Sequence, residues 1–372
     1  MFDLPTPNGT PSPTGAKPKE TLIYTFDPQG DVTLVLDNAP NGLPARLDDL
    51  RLSPGGSSYF SSGTTFKILR IQASSKHLAL ACPYFSRMLR SKFSEGAQLQ
   101  SQGNVEINIH EPRVPSFVLL MCIVHCRMQH VPTVVPLSTL SDMAALVDYY
   151  ECYDAVGVFA DLWIRALENQ LPTAPELTRP ASYYDRSRND QENSIRNALN
   201  WVLISWVFYK KDIFQKMTQY LQDHSVSQII TNGLPIPAAI IGKLNNKRTT
   251  YIQMLIDDLN KLHSKVAEGC INNSTYYDSS SKQECTYLVL GALTKRMMEM
   301  KLVQAPAPQS PFLGFGINKM KTLFRDTFKS PNRNGYHERC QLSSRITTML
   351  DGYSDPLGFD IDDPDFPRHR NT

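Results

Sequence analysis

Apolar positions along the chain repeat every second residue in its first third and every three to four residues beyond that. Leu22–Phe26 alternates loosely up to the turn signal Asp27-Pro28-Gln29-Gly30. Asp31–Leu36 (DVTLVL) then puts Val32, Leu34 and Leu36 on one strand face, so the two stretches predict a hairpin. Phe66–Ile71 predicts another strand, joined almost directly to an amphipathic helix. In that helix Leu78, Ala81, Cys82, Phe85, Met88 and Leu89 share one face. Val105, Ile107 and Ile109 alternate with Glu106, Asn108 and His110 in a half-buried strand.

Three helices follow. The first opens near Pro115, where proline suits an initial turn, and carries Phe117, Leu120, Met121 and Val124. The second carries Leu140, Met143, Ala144 and Val147; the third carries Val156, Phe159, Ala160, Trp163 and Leu167. Strands with one helix, followed by helices alone, define an α+β domain over 21–170. Residues 1–20 read as a disordered tail, 38–64 as a flexible Pro/Gly/Ser-rich insert, and 171–190 as a polar linker. The remainder is helical in pattern, an all-α domain over 191–345. Leu199, Val202, Leu203 and Trp206 share one face there, and Ile252, Leu255, Ile256 and Leu259 another. Further helices are expected at 284–302 and 317–328, and 346–372 reads as a disordered acidic tail.

With 38 Lys and Arg against 36 Asp and Glu in 372 residues, the chain has no large single-sign field. Nucleic acid and anionic membrane are therefore not expected partners. The tightest basic cluster, Lys243, Lys247 and Arg248 around Asn245 and Asn246, fits either phosphate or a solvated helix end. The apolar segments 117–124 and 199–208 are too short and interrupted to span a bilayer. The seven cysteines are odd in number and scattered, and no leader-like segment opens the chain. Both features point to free thiols and an intracellular protein of cytoplasm or nucleus.

DVTLVL, the strand before LALACPYFSRML, and VEINIHEPRVPSFVLLMCIVH together resemble the BTB/POZ domain, a protein–protein interaction module. DMAALVDYYECYDAVGVFADLWI resembles the closing helices of fungal members of that family, and the helical second half resembles the region that follows the domain in those proteins. The resemblance implies a binding protein: a scaffold that docks a protein partner or a second copy of itself. Family members often carry Ala-His-Arg or Ala-His-Lys before this helix, forming a charged pocket with an aspartate on the first strand. Here Asp31 is present, but the matching positions are Ala73, Ser74 and Ser75, with Lys76 one place late. A hairpin is also expected where dimerising members have a long helix.

Phe93-Ser94-Glu95 lies where cullin-binding members have a hydrophobic-x-Glu motif. An apolar plug beside a carboxylate would suit such a partner. Alternatively, Phe93 closes its helix onto the core and Glu95 is solvated. The resemblance therefore carries a second reading, a substrate adaptor of a cullin-based ubiquitin ligase, and a third, a transcription-associated regulator.

Cys82, Cys122, Cys126 and Cys152 fall on apolar helical faces as small buried thiols. Cys270, Cys285, His337 and Cys340 offer four soft ligands for a tetrahedral structural zinc, against the alternative of free thiols and an exposed histidine. Only His337 and Cys340 have tight ligand spacing. No nucleophile elbow, phosphate loop, dinucleotide fingerprint or paired metal histidines occur, so neither catalysis nor a required cofactor is expected.

Overall fold

The computed structural model describes residues 20–50, 66–173, 184–270, 278–303, 307–327, 340–353 and 357–366. The chain forms two compact units, one ending at Trp163 and the other beginning at Ile164.

The first unit is mixed α+β. Strands β1 (Thr21–Thr25), β2 (Val32–Pro40), β3 (Phe66–Ala73) and β4 (Val105–Asn108) form one sheet in the order β1-β3-β2-β4. β3 pairs parallel with β1 and antiparallel with β2, while β2 pairs parallel with β4. The register aligns Leu22 with Leu69, Leu34 with both Ile71 and Ile107, and Val32 with Val105. All seven of these side chains are buried, so one sheet face is the core face, as a period of two requires.

The expected hairpin does not form. β1 and β2 flank β3 instead of each other, because the Asp27–Gly30 turn carries the chain across the end of β3: the Phe26 amide donates to the Gln72 carbonyl at 2.9 Å. A parallel β1–β3 pair cannot be read from local alternation, since its partners lie 47 positions apart (Thr21 with Ile68).

The helix expected after β3 is two helices, α1 (Ser75–Ala81) and α2 (Pro83–Met88). Cys82 between them is extended (φ −130°), since the ring of Pro83 disfavours helical backbone in the residue before it. A third helix, α3 (Ser94–Gln102), was not predicted by the pattern. Its sequence SEGAQLQSQ holds too few apolar residues to show a period. α4 (Val114–Val124) is buried on every side from Ser116 to Val124, and α5 (Leu137–Tyr150) and α6 (Tyr153–Leu167) follow. Part of the expected insert is packed as well: Leu43, Leu47 and Leu50 are buried, and Tyr24 donates to the Pro44 carbonyl at 2.7 Å. The loosest part of that insert, 53–63, lies outside the described residues.

The regular secondary structure of the second unit is all helical among its described residues. α7 (Tyr184–Val207) begins inside the stretch read as a linker, and α8 (Lys211–His224) packs against it. α9 (Ala238–Ala267), α10 (Ser279–Glu299), α11 (Ile317–Thr327) and α12 (Leu342–Asp351) enclose a core that includes Ile252, Leu255, Leu259, Leu293, Phe324 and Ile346. α8 and α12 were not predicted. α12 runs into the stretch read as a tail, and residues 357–366 of that tail are packed, with Phe359, Ile361 and Phe366 buried.

Candidate functional site

Two of the four residues expected to meet a partner, Phe93 and Glu95, sit at the turn from α2 into α3. Past α2 the chain turns so that the Phe93 amide donates to the Arg90 carbonyl at 3.1 Å. Phe93 then caps the start of α3 in extended conformation. Gly96 makes this corner fit: a Cβ there would stand 1.9 Å from the Arg90 carbonyl oxygen, so only glycine lets the first turn of α3 rest on the end of α2. Phe93 is left 53 % exposed, so it does not close a helix onto the core. Glu95, half-buried, accepts from the Ser94 hydroxyl at 2.8 Å.

Glu95 also acts on Tyr84. Burial pushes the Tyr84 phenol up to about 12, and Tyr149 and the Glu95 charge add to the shift. The Tyr84 ring lies 5.2 Å from the exposed Tyr149 ring. Nearby, Arg87 grips Glu151 with both guanidinium arms, at 2.8 and 2.5 Å.

Asp31 and Lys76 do not make a charged pocket together. Both Asp31 carboxylate oxygens accept from Ser75, from its amide at 2.7 Å and its hydroxyl at 2.6 Å. The serine that stands in place of a basic residue thus turns Asp31 into a helix-start anchor for α1. Lys76 is exposed and makes no ion pair among the described residues.

His125 supplies the buried polar contact beside this anchor. Its Nε2 accepts from the Ser74 amide at 3.1 Å, which leaves Nδ1–H to donate to the Met121 carbonyl at 3.0 Å. Burial, first of all, holds its pKa down to about 4, so the ring is neutral at ordinary pH.

In the second unit, Cys270 after α9, Cys285 in α10 and Cys340 before α12 bring their sulfur atoms within 4.8 Å of one another. Cys270 and Cys340 are 3.5 Å apart. Tetrahedral zinc with thiolate bonds of about 2.3 Å sets its sulfurs roughly 3.8 Å apart, so the spacing suits a metal. Burial, with help from the two neighbouring thiols, pushes Cys285 up to about 12, a cost that a cation at the centre would reverse. His337 lies outside the described residues.

The basic cluster is taken apart by the fold. Arg248 is wholly buried and donates to the Ser225, Pro311, Phe312 and Phe315 carbonyls, while Lys243 pairs with Asp363 and Asp365. These carbonyls lie 23 residues before Arg248 and 63 to 67 after it, so no local pattern announces them. No family model, characterised protein or solved structure matches this chain. No helix among the described residues is long and apolar enough to cross a membrane.

Proposed function

We propose that this chain is a protein-interaction scaffold of BTB/POZ-like type, and that the corner holding Phe93 and Glu95 docks a protein partner. The observation that carries this reading is an exposed aromatic ring at the start of α3, two residues before a half-buried carboxylate, on a corner where Gly96 packs against the Arg90 carbonyl. An aromatic anchor loses water on docking, and a carboxylate beside it accepts charge-assisted hydrogen bonds that orient the partner. The order hydrophobic-x-Glu favours a cullin as that partner, which makes a ubiquitin-ligase adaptor the second reading.

Affinity purification of the full chain, compared with Phe93→Ala/Glu95→Lys, tests both. The expected result is a partner retained by the wild type and lost by the variant. A cullin with ligase components in that lost set assigns the adaptor role. Partners that all survive the double substitution refute the docking corner.

The thiols of the second unit are assigned to a structural zinc, with His337 as the fourth ligand. Such a site would tie the segment before α12 to the ends of α9 and α10, binding free energy becoming folding free energy. Elemental analysis of the purified chain should find one zinc per molecule, lost on Cys285→Ser. A metal-free chain with reactive thiols at all three positions refutes the assignment.

A further inference from the structure

Residues 357–366 (LGFDIDDPDF) have no regular secondary structure, yet they are held to α7, α8 and α9 as a bound peptide is held to its receptor. Three anchors are buried: Phe359, Ile361 and Phe366. The Phe366 ring meets Trp206 at 6.1 Å and Phe214 at 6.1 Å. The backbone is read as well. The Phe359 amide donates to the Thr218 hydroxyl at 2.8 Å, and Gln222 donates to the Leu357 carbonyl at 3.2 Å. Gly358 lies so close to α8 that a Cβ would stand 1.8 Å from the Gln215 carbonyl oxygen.

Charge completes the match. Asp360, Asp362, Asp363 and Asp365 fall within these ten residues, which contain no basic side chain. Lys211 meets Asp362 at 2.6 Å, and Tyr209 donates to the same carboxylate at 2.9 Å. Lys243 reaches Asp363 and Asp365 at 2.5 and 2.9 Å, and its ammonium lies 5.8 and 5.3 Å from the Phe359 and Phe366 ring centres. The segment also keeps its own shape. The Asp360 and Asp363 carboxylates accept from the amides two residues on, at 2.9 and 3.0 Å, making two successive Asx turns. A groove lined by Lys243, Asn246, Lys247 and Tyr251 continues past Asp365.

We propose that the α7–α9 surface is a peptide-recognition site for acidic segments of the pattern Gly-Phe-x-Ile-Asp-Asp-x-Asp-Phe, and that the chain's own residues 357–366 occupy it in cis. Partner peptides of the same chemistry compete for it. Tethering gives the resident segment an effective concentration of about millimolar, so the site opens to a partner that binds more tightly or is itself multivalent. The proposal concerns the second unit alone and does not depend on the docking corner of the first.

The test uses the full-length chain carrying Phe359→Ala/Phe366→Ala, which frees the site, and a fluorescent peptide of residues 357–366 with capped ends. By anisotropy, the freed chain should bind the peptide, and wild type should bind it at least roughly tenfold more weakly because its own segment competes. Adding Lys243→Glu to the freed chain should weaken binding by about tenfold or more. Four results would overturn the proposal: no binding by the freed chain; equal binding by wild type; equal binding of a peptide with both phenylalanines replaced by alanine, which means generic charge attraction; or loss of cooperative melting in the freed chain, which makes the segment core rather than ligand.

Discussion

The first unit joins distant parts of its chain through backbone ladders as well as side chains such as Asp31 and His125, whereas the second, with no strand among its described residues, relies mainly on side chains that reach for backbone. In the first, β3 binds segments from both sides of it in sequence, and Arg70 and Glu106 add a pair across the exposed sheet face. In the second, Arg248 holds the 311–315 loop, and Thr218 and Gln222 hold a segment about 140 residues away. The difference follows from how helices and strands use their amides. A helix satisfies its N–H and C=O groups internally and has few left to offer, while a strand must find another strand. An all-helical unit therefore fixes its irregular segments with guanidinium, hydroxyl and amide side chains. Those few side chains become expensive to lose.

The largest effect tests that contrast directly. Arg248→Met removes the guanidinium that donates to the Ser225, Pro311, Phe312 and Phe315 carbonyls, of which Phe312 keeps the Phe315 amide, and should destabilise the second unit by about 3–5 kcal/mol. Hydrogen exchange should rise in 311–316 while the sheet of the first unit stays protected. Equal protection in mutant and wild type would remove the contrast.

Next comes the buried polar contact of the first unit. The folded-state pKa of His125 is lowered to about 4 from an ordinary 6.5, so below pH 6.5 the unfolded chain takes up the proton first. Its contribution is complete above pH 6.5. It is lost as the pH falls toward 4, by about 1.4 kcal/mol per unit and about 3 kcal/mol in all. Denaturant melts at a series of pH values should show this slope, and His125→Gln should flatten it.

Gly96→Ala is expected to cost about 1–3 kcal/mol, because the backbone must shift to clear the Arg90 carbonyl, and to weaken any partner captured through Phe93. The smallest effect belongs to Arg70→Ala on the exposed sheet face. Both partners of that pair are well solvated, so the change should stay under about 1 kcal/mol by thermal melting.

Much of the first unit was legible in the sequence because its buried positions recur at the strand and helix periods. β2, β3, β4 and the α4–α6 series fall where alternation and spacing put them. Proline was legible too, yet its effect at Cys82–Pro83 was submerged by a helical pattern that ran through it. Within the candidate sites, the apolar and acidic character of Phe93 and Glu95 could be read, but the exposure of Phe93 could not. Exposure is a property of the folded corner, where Gly96 packs against the Arg90 carbonyl, and not of the local pattern. The three clustered cysteines could be named but not joined, since Cys270 and Cys340 meet across 70 residues.

The sequence by itself determined the α+β character of the first unit, the helical second half and the candidate residues, because local periodicity and side-chain chemistry are properties of neighbours in the chain. Tertiary structure alone decided that β1 pairs with β3 instead of β2, that Arg248 is a buried latch and not a surface charge, and that the acidic segment 357–366 is bound. Each of these outcomes rests on partners tens of residues or more away. An acidic stretch bearing Phe359, Ile361 and Phe366 looks like solvated tail until a surface with Lys211, Lys243 and Trp206 is built to receive it.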